Sequence, residues 1–250
     1  MFRHRASEKL DLKTIIDWFL LAFLAGNVNA GGYLACHRFV SHVTGFATLA
    51  GVDAAVGSWG DAFGILSVPL FFLLGVVVSA YHVERRVSEG KAPAYGRVMS
   101  FVTLCLFLAG LGGVLGWWSD FGQTVELSRD YFFLALLCMA SGLQNAALTS
   151  SSGATLRTTH LTGTTTDLGI GLMRWAAHKA GSVGREQEFR ANSLRMATIV
   201  AFMFGSGVGA VLFIKYHYWG FSLPILIALY ATLTAANVIP SEVPRLHRRH

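Results

Sequence analysis

The stretch FGILSVPLFFLLGVVVSAYHV, Phe63 to Val83, contains no Asp, Glu, Lys or Arg. A helix needs about 20 apolar residues to cross the hydrocarbon core of a bilayer, so this run predicts a membrane span. Five further runs qualify: Thr14 to Cys36, Arg97 to Trp118, Tyr131 to Ser150, Leu194 to Ile214 and Trp219 to Ile239. The fold class that follows is all-α and integral to a membrane, with six transmembrane helices. Composition agrees. Only 14% of the 250 residues are charged, whereas a soluble domain carries about 25% to cover its surface. The 27 glycines suit membrane helices, which use glycine more than soluble ones do.

Charge orients the spans. Basic residues collect at the N-terminus (Arg3, Arg5, Lys9, Lys13), between the second and third spans (Arg85, Arg86, Lys91), between the fourth and fifth (Arg174, Lys179, Arg185, Arg190, Arg195) and in the C-terminal tail (Arg245, Arg248, Arg249). The alternate loops hold one each, Arg38, Arg129 and Lys215, along with Asp120, Glu126 and Asp130. The positive-inside rule therefore puts both termini in the cytoplasm. The net charge of +6 lies in short loops without interleaved aromatics, which argues against a nucleic-acid partner. A competing reading makes residues 1–30 a cleaved signal peptide. It would remove a segment that has a counterpart later in the chain.

That counterpart is an internal repeat. Gly26, Asn29-Ala30 and His42-Val43-Thr44-Gly45 recur as Gly142, Asn145-Ala146 and His160-Leu161-Thr162-Gly163, with Thr48 matched by Thr166. Residues 1–120 and 121–250 then form two three-span halves of one membrane domain. Three is odd, so the halves are inverted, as in many transporters whose site lies where the halves meet. Each motif opens a short apolar segment, Gly45 to Trp59 and Gly163 to Ala177, too short to cross. These segments read as re-entrant half-helices, because small residues and hydroxyls suit a packed interior. The alternative is a helix lying in the interface.

The motif suggests chemistry. The first N–H groups of a helix have no internal partner and carry the positive end of its dipole, so Thr44, Gly45, Thr162, Gly163, Thr164 and Thr165 are candidate donors to a small polar or anionic solute. Simple capping by threonine is the alternative. His42 and His160 are candidate proton-relaying or gating groups beside that solute. Asp167, Arg157 and Asp53 are candidate coupling or gating groups: Asp167 needs a partner in its apolar segment, for which Arg157 is the candidate, or serves proton coupling, Asp53 is an imperfect first-half analogue, and Arg157 can attract an anion. Arg157 can also simply snorkel to the headgroups. Asn27, Asn29, Gln144 and Asn145 lie within spans, where they either bind helices together or face the solute. Glycine pairs Gly112/Gly116 and Gly205/Gly209 permit close helix packing within the chain or in a homo-oligomer. Cys36, Cys105 and Cys138 form no disulfide framework, and no zinc ligand set occurs. No cofactor is expected. Ser150-Ser151-Ser152-Gly153 lacks the frame of a nucleophile elbow, and no His-Glu-x-x-His or Walker-type phosphate loop is found.

The stretches Phe39 to Gly45, Gly142 to Ala146 and Thr158 to Gly163 resemble the YoaK-like family of small bacterial membrane proteins, over roughly residues 12–240. The resemblance implies a bacterial inner-membrane location and six spans, and names no substrate. This chain carries Phe46 where family members often have asparagine, and Asn29 lies near a position where they often have aspartate. The expected function is a transporter or channel. Rivals are an intramembrane enzyme using His and Asp as acid and base, and a non-transporting sensor or assembly partner.

Overall fold

The computed structural model describes residues 12–123, 128–153 and 156–236. The basic residues Arg3, Arg5, Lys9, Arg245, Arg248 and Arg249, Glu126, and the last expected span residues 237–239 lie outside them. The described residues are helical, with no strand. Helix α1 covers Leu12–Cys36, α2 Val43–Ala55, α3 Trp59–His82, α4 Glu84–Ser88, α5 Tyr95–Val114, α6 Ser128–Ser151, α7 Leu161–Ala177, α8 Val183–Tyr216 and α9 Ser222–Ala236, with a 3₁₀ turn at His217–Phe221 between the last two.

Five helical segments are long and apolar enough to cross a membrane: Leu12–Cys36, Trp59–Ser88, Tyr95–Val114, Arg129–Ser151 and Val183–Ala235. The last holds 53 residues, which as one straight helix would reach about 80 Å. It is not straight. His217 takes the left-handed φ of 50°, and beyond it α9 folds back to pack on α5.

Glycine sets the main helix pairs. α1 packs on α8, and α3 on α6. In the first pair, a Cβ on Gly26 would fall on the Phe202 carbonyl and one on Gly205 on the Phe23 carbonyl. In the second, Gly142 meets the Phe72 carbonyl and Gly75 the Met139 carbonyl in the same way. Backbones approach this closely only where a side chain is missing, which is how helices gain contact when lipid is as apolar as their own side chains. Along α1, Gly26, Asn27 and Gly31 meet Phe202, Gly209 and Phe213 in ascending order, so α1 and α8 run in the same direction. Gly64 meets Tyr131 and Gly75 meets Met139, so α3 and α6 do too. In contrast, Gly110 meets Phe221 while Thr103 bonds Thr232, so α5 and α9 are antiparallel.

Of the two expected glycine pairs, Gly205/Gly209 serves packing within the chain, against α1. Gly112/Gly116 does not. α5 ends at Val114, Gly116 lies past it at φ 73°, and Gly112 makes room for the Trp118 indole, whose Nε1 donates to the Ala109 carbonyl at 2.9 Å. The expected span to Trp118 is thus four residues too long: the chain turns so that the indole folds back against its own helix. The loop that follows is tied down by Asp130, which is buried and accepts from the Ser119 N–H and Oγ at 2.9 and 2.8 Å.

Candidate functional site

Both His-x-Thr-Gly motifs open a short helix, α2 after α1 and α7 after α6. The N-cap position is His42 in one and His160 in the other, and neither helix start has a side-chain cap. Threonine capping is therefore not what the motif does: Thr44 and Thr162 are the second residues of their helices. Instead each histidine ring folds over the motif glycine. A Cβ on Gly45 would lie 2.6 Å from His42 Nδ1, and one on Gly163 would lie 3.0 Å from His160 Nδ1. Glycine is what lets the ring lie there.

The asparagines brace the chain entering each helix. Asn29 Oδ1 accepts from Ser41 Oγ at 3.2 Å. Asn145 Oδ1 accepts from Thr158 Oγ1 at 3.3 Å and from the Thr159 N–H at 3.4 Å. Thr48 and Thr166 donate to the carbonyls of Thr44 and Thr162, each at 3.0 Å. Gln144 is buried and donates to the Leu21 carbonyl, which binds α6 to α1. Asn27 is fully buried in the α1–α8 seam beside Gly209, and neither of its amide atoms has a partner.

A cleft of about 430 Å³ opens at the first motif, lined by His37, Arg38, Phe39, His42, Thr44, Gly45, Phe46, Thr48 and Leu49. Arg38 and two histidines lie around it, and it takes in the start of α2, where the Gly45 and Phe46 N–H groups donate to the His42 carbonyl at 2.9 and 3.2 Å. His37 is held at a left-handed φ of 54°, with Nε2 at 3.0 Å from the Gly122 carbonyl. Phe39 stacks on Tyr33 at 4.6 Å and meets His42 edge-on at 6.0 Å. Arg38 and His37 were not singled out by the sequence reading as site residues, although they directly precede the motif.

The two motifs are not brought into one pocket. α2 packs on α3 and α7 on α8, and the two short helices share no packed face. The packed interior expected for them is also not what surrounds them: α2 buries Phe46 alone, and α7 buries Thr164, Leu168 and Gly171. Around α7, His160, Thr162 and Thr165 are exposed, Gly163 is half-buried, and Thr164 is buried with its Oγ1 donating to the His160 carbonyl at 3.1 Å. Arg157 and Asp167 are both exposed, and no ion pair joins them. No hydrogen bond joins His160 to Asp167, the contact an acid–base pair would require. Asp53 is half-buried on α2.

No curated protein and no solved structure matches the chain. A family profile matches residues 18–234, from the first span to the last, and includes both motifs. The chain therefore belongs to the family described as protein of unknown function (DUF1275), which includes the YoaK-like proteins.

Proposed function

We propose that this protein moves a small anionic or polar solute across the bacterial inner membrane, taking it up at the first motif. The observation that carries this reading is the cleft of about 430 Å³ with Arg38, His37 and His42 around the uncapped start of α2. A helix N-terminus beside an arginine attracts an oxyanion through the helix dipole and full charge together. Thr44, Gly45 and Thr48 line the cleft; the Thr48 hydroxyl and the Gly45 N–H already donate to the Thr44 and His42 carbonyls, which leaves Thr44 as the polar contact. In this reading His42 and His160 act as gates, each ring lying over the glycine of its own motif.

The architecture proposed is six crossings in two inverted halves, residues 1–120 and 121–250, with both termini cytoplasmic. Helix directions support it. If α1, α3, α5, α6, α8 and α9 cross in turn, α1 must parallel α8, α3 must parallel α6, and α5 must oppose α9, as found. If α2 and α7 crossed as well, α5 and α9 would be parallel. Matched contacts support the two halves: Asn29 with Ser41 recurs as Asn145 with Thr159, and Gly26 on Phe202 recurs as Gly142 on Phe72. The exposed faces of α2 and α7 would then flank water-filled vestibules on opposite sides, the setting in which short helices are tolerated at membrane depth.

The test is side-specific labelling. The three native cysteines are buried, so Thr48→Cys and Thr166→Cys supply the reactive thiols. Labelling of position 48 only from outside and 166 only from inside, with protection of position 48 by one of a panel of small anions, is expected. Labelling of both from the same side would overturn the topology. Free labelling at 48 unaffected by every anion, with no anion flux in proteoliposomes, would overturn the transport reading.

A further inference from the structure

Helix α8 is 34 residues long, about 51 Å and roughly 20 Å more than a bilayer core needs. Its charges show which part projects. Arg185, Glu186, Glu188, Arg190 and Arg195 precede Met196, and no charged residue follows until Lys215. Arg195 therefore sits where the apolar part of α8 begins, at headgroup level on the cation-rich side of the chain.

There α7 lies across α8. Gly171 presses so closely that a side chain would run into Asn192 Oδ1 and Arg195 Nη1. Asn192, only 6% exposed, accepts from Arg195 Nη1 at 2.8 Å. That bond uses the amide's acceptor and leaves its donor. Asn192 Nδ2 and Arg195 Nε are both buried with no partner. Among the described residues no carboxylate pairs with Arg195: Glu188, one turn from Asn192, instead meets Arg174 at 3.9 Å. Buried donors left empty are costly, and here both empty groups are donors, three residues apart on one helix face. What they lack is an acceptor with several oxygens.

We propose that Asn192 and Arg195 bind a phosphate-type oxyanion at the α7–α8 seam. Arg195 as a whole is part-exposed although its Nε is closed to solvent, so the ion enters by a shift of the side chain. Nη1 is engaged with Asn192, which leaves the other edge of the guanidinium, starting at Nε, for two oxygens of one phosphoryl group, the geometry that arginine offers and lysine does not. At this level the oxyanion is supplied by an anionic phospholipid headgroup or by free phosphate. The inference rests on α8 crossing the membrane and is independent of the cleft at the first motif.

The experiment is native mass spectrometry of the full chain in detergent with phosphatidylglycerol or phosphatidylcholine, with and without millimolar inorganic phosphate. The wild-type chain is expected to retain phosphatidylglycerol or phosphate in preference to phosphatidylcholine. Arg195→Gln and Asn192→Leu each weaken retention roughly tenfold, Arg195→Lys restores it only in part, and Arg190→Gln leaves it unchanged. Displacement of the lipid by phosphate identifies a free-anion site, and resistance identifies a headgroup site; both support the proposal. A wild-type chain that retains neither lipid nor phosphate selectively overturns it, whatever the variants do. So does equal retention by Arg195→Gln in a folded, monodisperse preparation.

Discussion

Alanine at Gly205 tests whether the α1–α8 seam is held by backbone contact. A Cβ there would lie 2.0 Å from the Phe23 carbonyl oxygen, where ordinary contact begins at 3.4 Å. Phe23 sits mid-helix and its carbonyl cannot swing aside, so the two helices must part locally by about 1.4 Å. A gap of 0.5–1 Å already forfeits roughly a quarter to a half of each dispersion contact, and over-packed sites cost about 1–3 kcal/mol. In a bilayer no hydrophobic effect between helices makes up the loss. The upper half of that range, about 2–3 kcal/mol, is therefore expected for Gly205→Ala. The control is on the same helix: nothing lies within 4 Å of a Cβ at Gly207, so Gly207→Ala should be neutral or stabilise by up to about 1 kcal/mol through helix propensity. Unfolding free energies in mixed micelles would measure both. If Gly205→Ala unfolds like the wild type, or Gly207→Ala is equally damaged, the close approach is not what holds the pair. Gly142→Ala, which meets the Phe72 carbonyl, should repeat the Gly205 result if the α3–α6 seam is built the same way.

Other outcomes follow from single contacts. Asn29→Ala removes the brace on Ser41 and should cost about 1 kcal/mol, with faster thiol labelling at a Thr48→Cys reporter; unchanged labelling would show that the bond does not set the entry to α2. Asn27 is a fully buried amide with neither atom paired, which costs about 1–3 kcal/mol, so Asn27→Leu should leave stability unchanged or higher, read by the same unfolding assay. Glu89 receives hydrogen bonds from Lys91 and Arg85, which hold its carboxyl below the usual glutamate value. A lowered folded value means that its contribution exists above the unfolded pKa and is lost as pH falls through the folded one; the pair is exposed, so NMR titration should show the lowered pKa while Glu89→Gln leaves the melting temperature unchanged.

What was legible in the sequence was whatever depends on neighbours along the chain. Apolar runs gave the long helices because crossing length is a local property, and the His-x-Thr-Gly pair marked the starts of α2 and α7 to within two residues. Their ends were less legible: the run to Trp118 looks continuous, and only the fold-back of an indole onto Gly112 shows that the helix stops at Val114. Which residues meet across the chain was not legible. Asp17 lies inside the first apolar run and drew no notice, yet it is buried and accepts from Tyr230 Oη at 3.1 Å, 213 residues away. Gly75 and Gly205 each follow a phenylalanine by three residues, Phe72 and Phe202, but in a chain with 27 glycines such a pair is invisible until a carbonyl is seen against each one. The basic cleft was missed for a related reason. Arg38 was counted as loop charge, and only the turn at His37, fastened to Gly122, directs the segment toward α2.

The helix pairing also bears on how the chain reaches its fold. α1 finds its main partner in α8, and α3 in α6. Neither half, taken alone, covers the glycine faces of its own first two long helices: Gly26 and Gly31 wait for Phe202 and Phe213, and Gly75 waits for Met139. Closing the α1–α8 seam spans more than 170 residues, a loop-closure cost that grows only slowly with length but must be met before contact is gained. A chain truncated after residue 120 would thus keep α1 and α3 as helices, since a bilayer enforces internal hydrogen bonding on any spanning segment, yet leave their small-residue faces against lipid. Those faces fit the other half and would find it in trans. Co-expressed fragments 1–120 and 121–250 should therefore co-purify, Gly205→Leu in the second should abolish the association, and Gly207→Leu should not. Independent, stable purification of either fragment alone would show that the seams between halves are not what completes the fold.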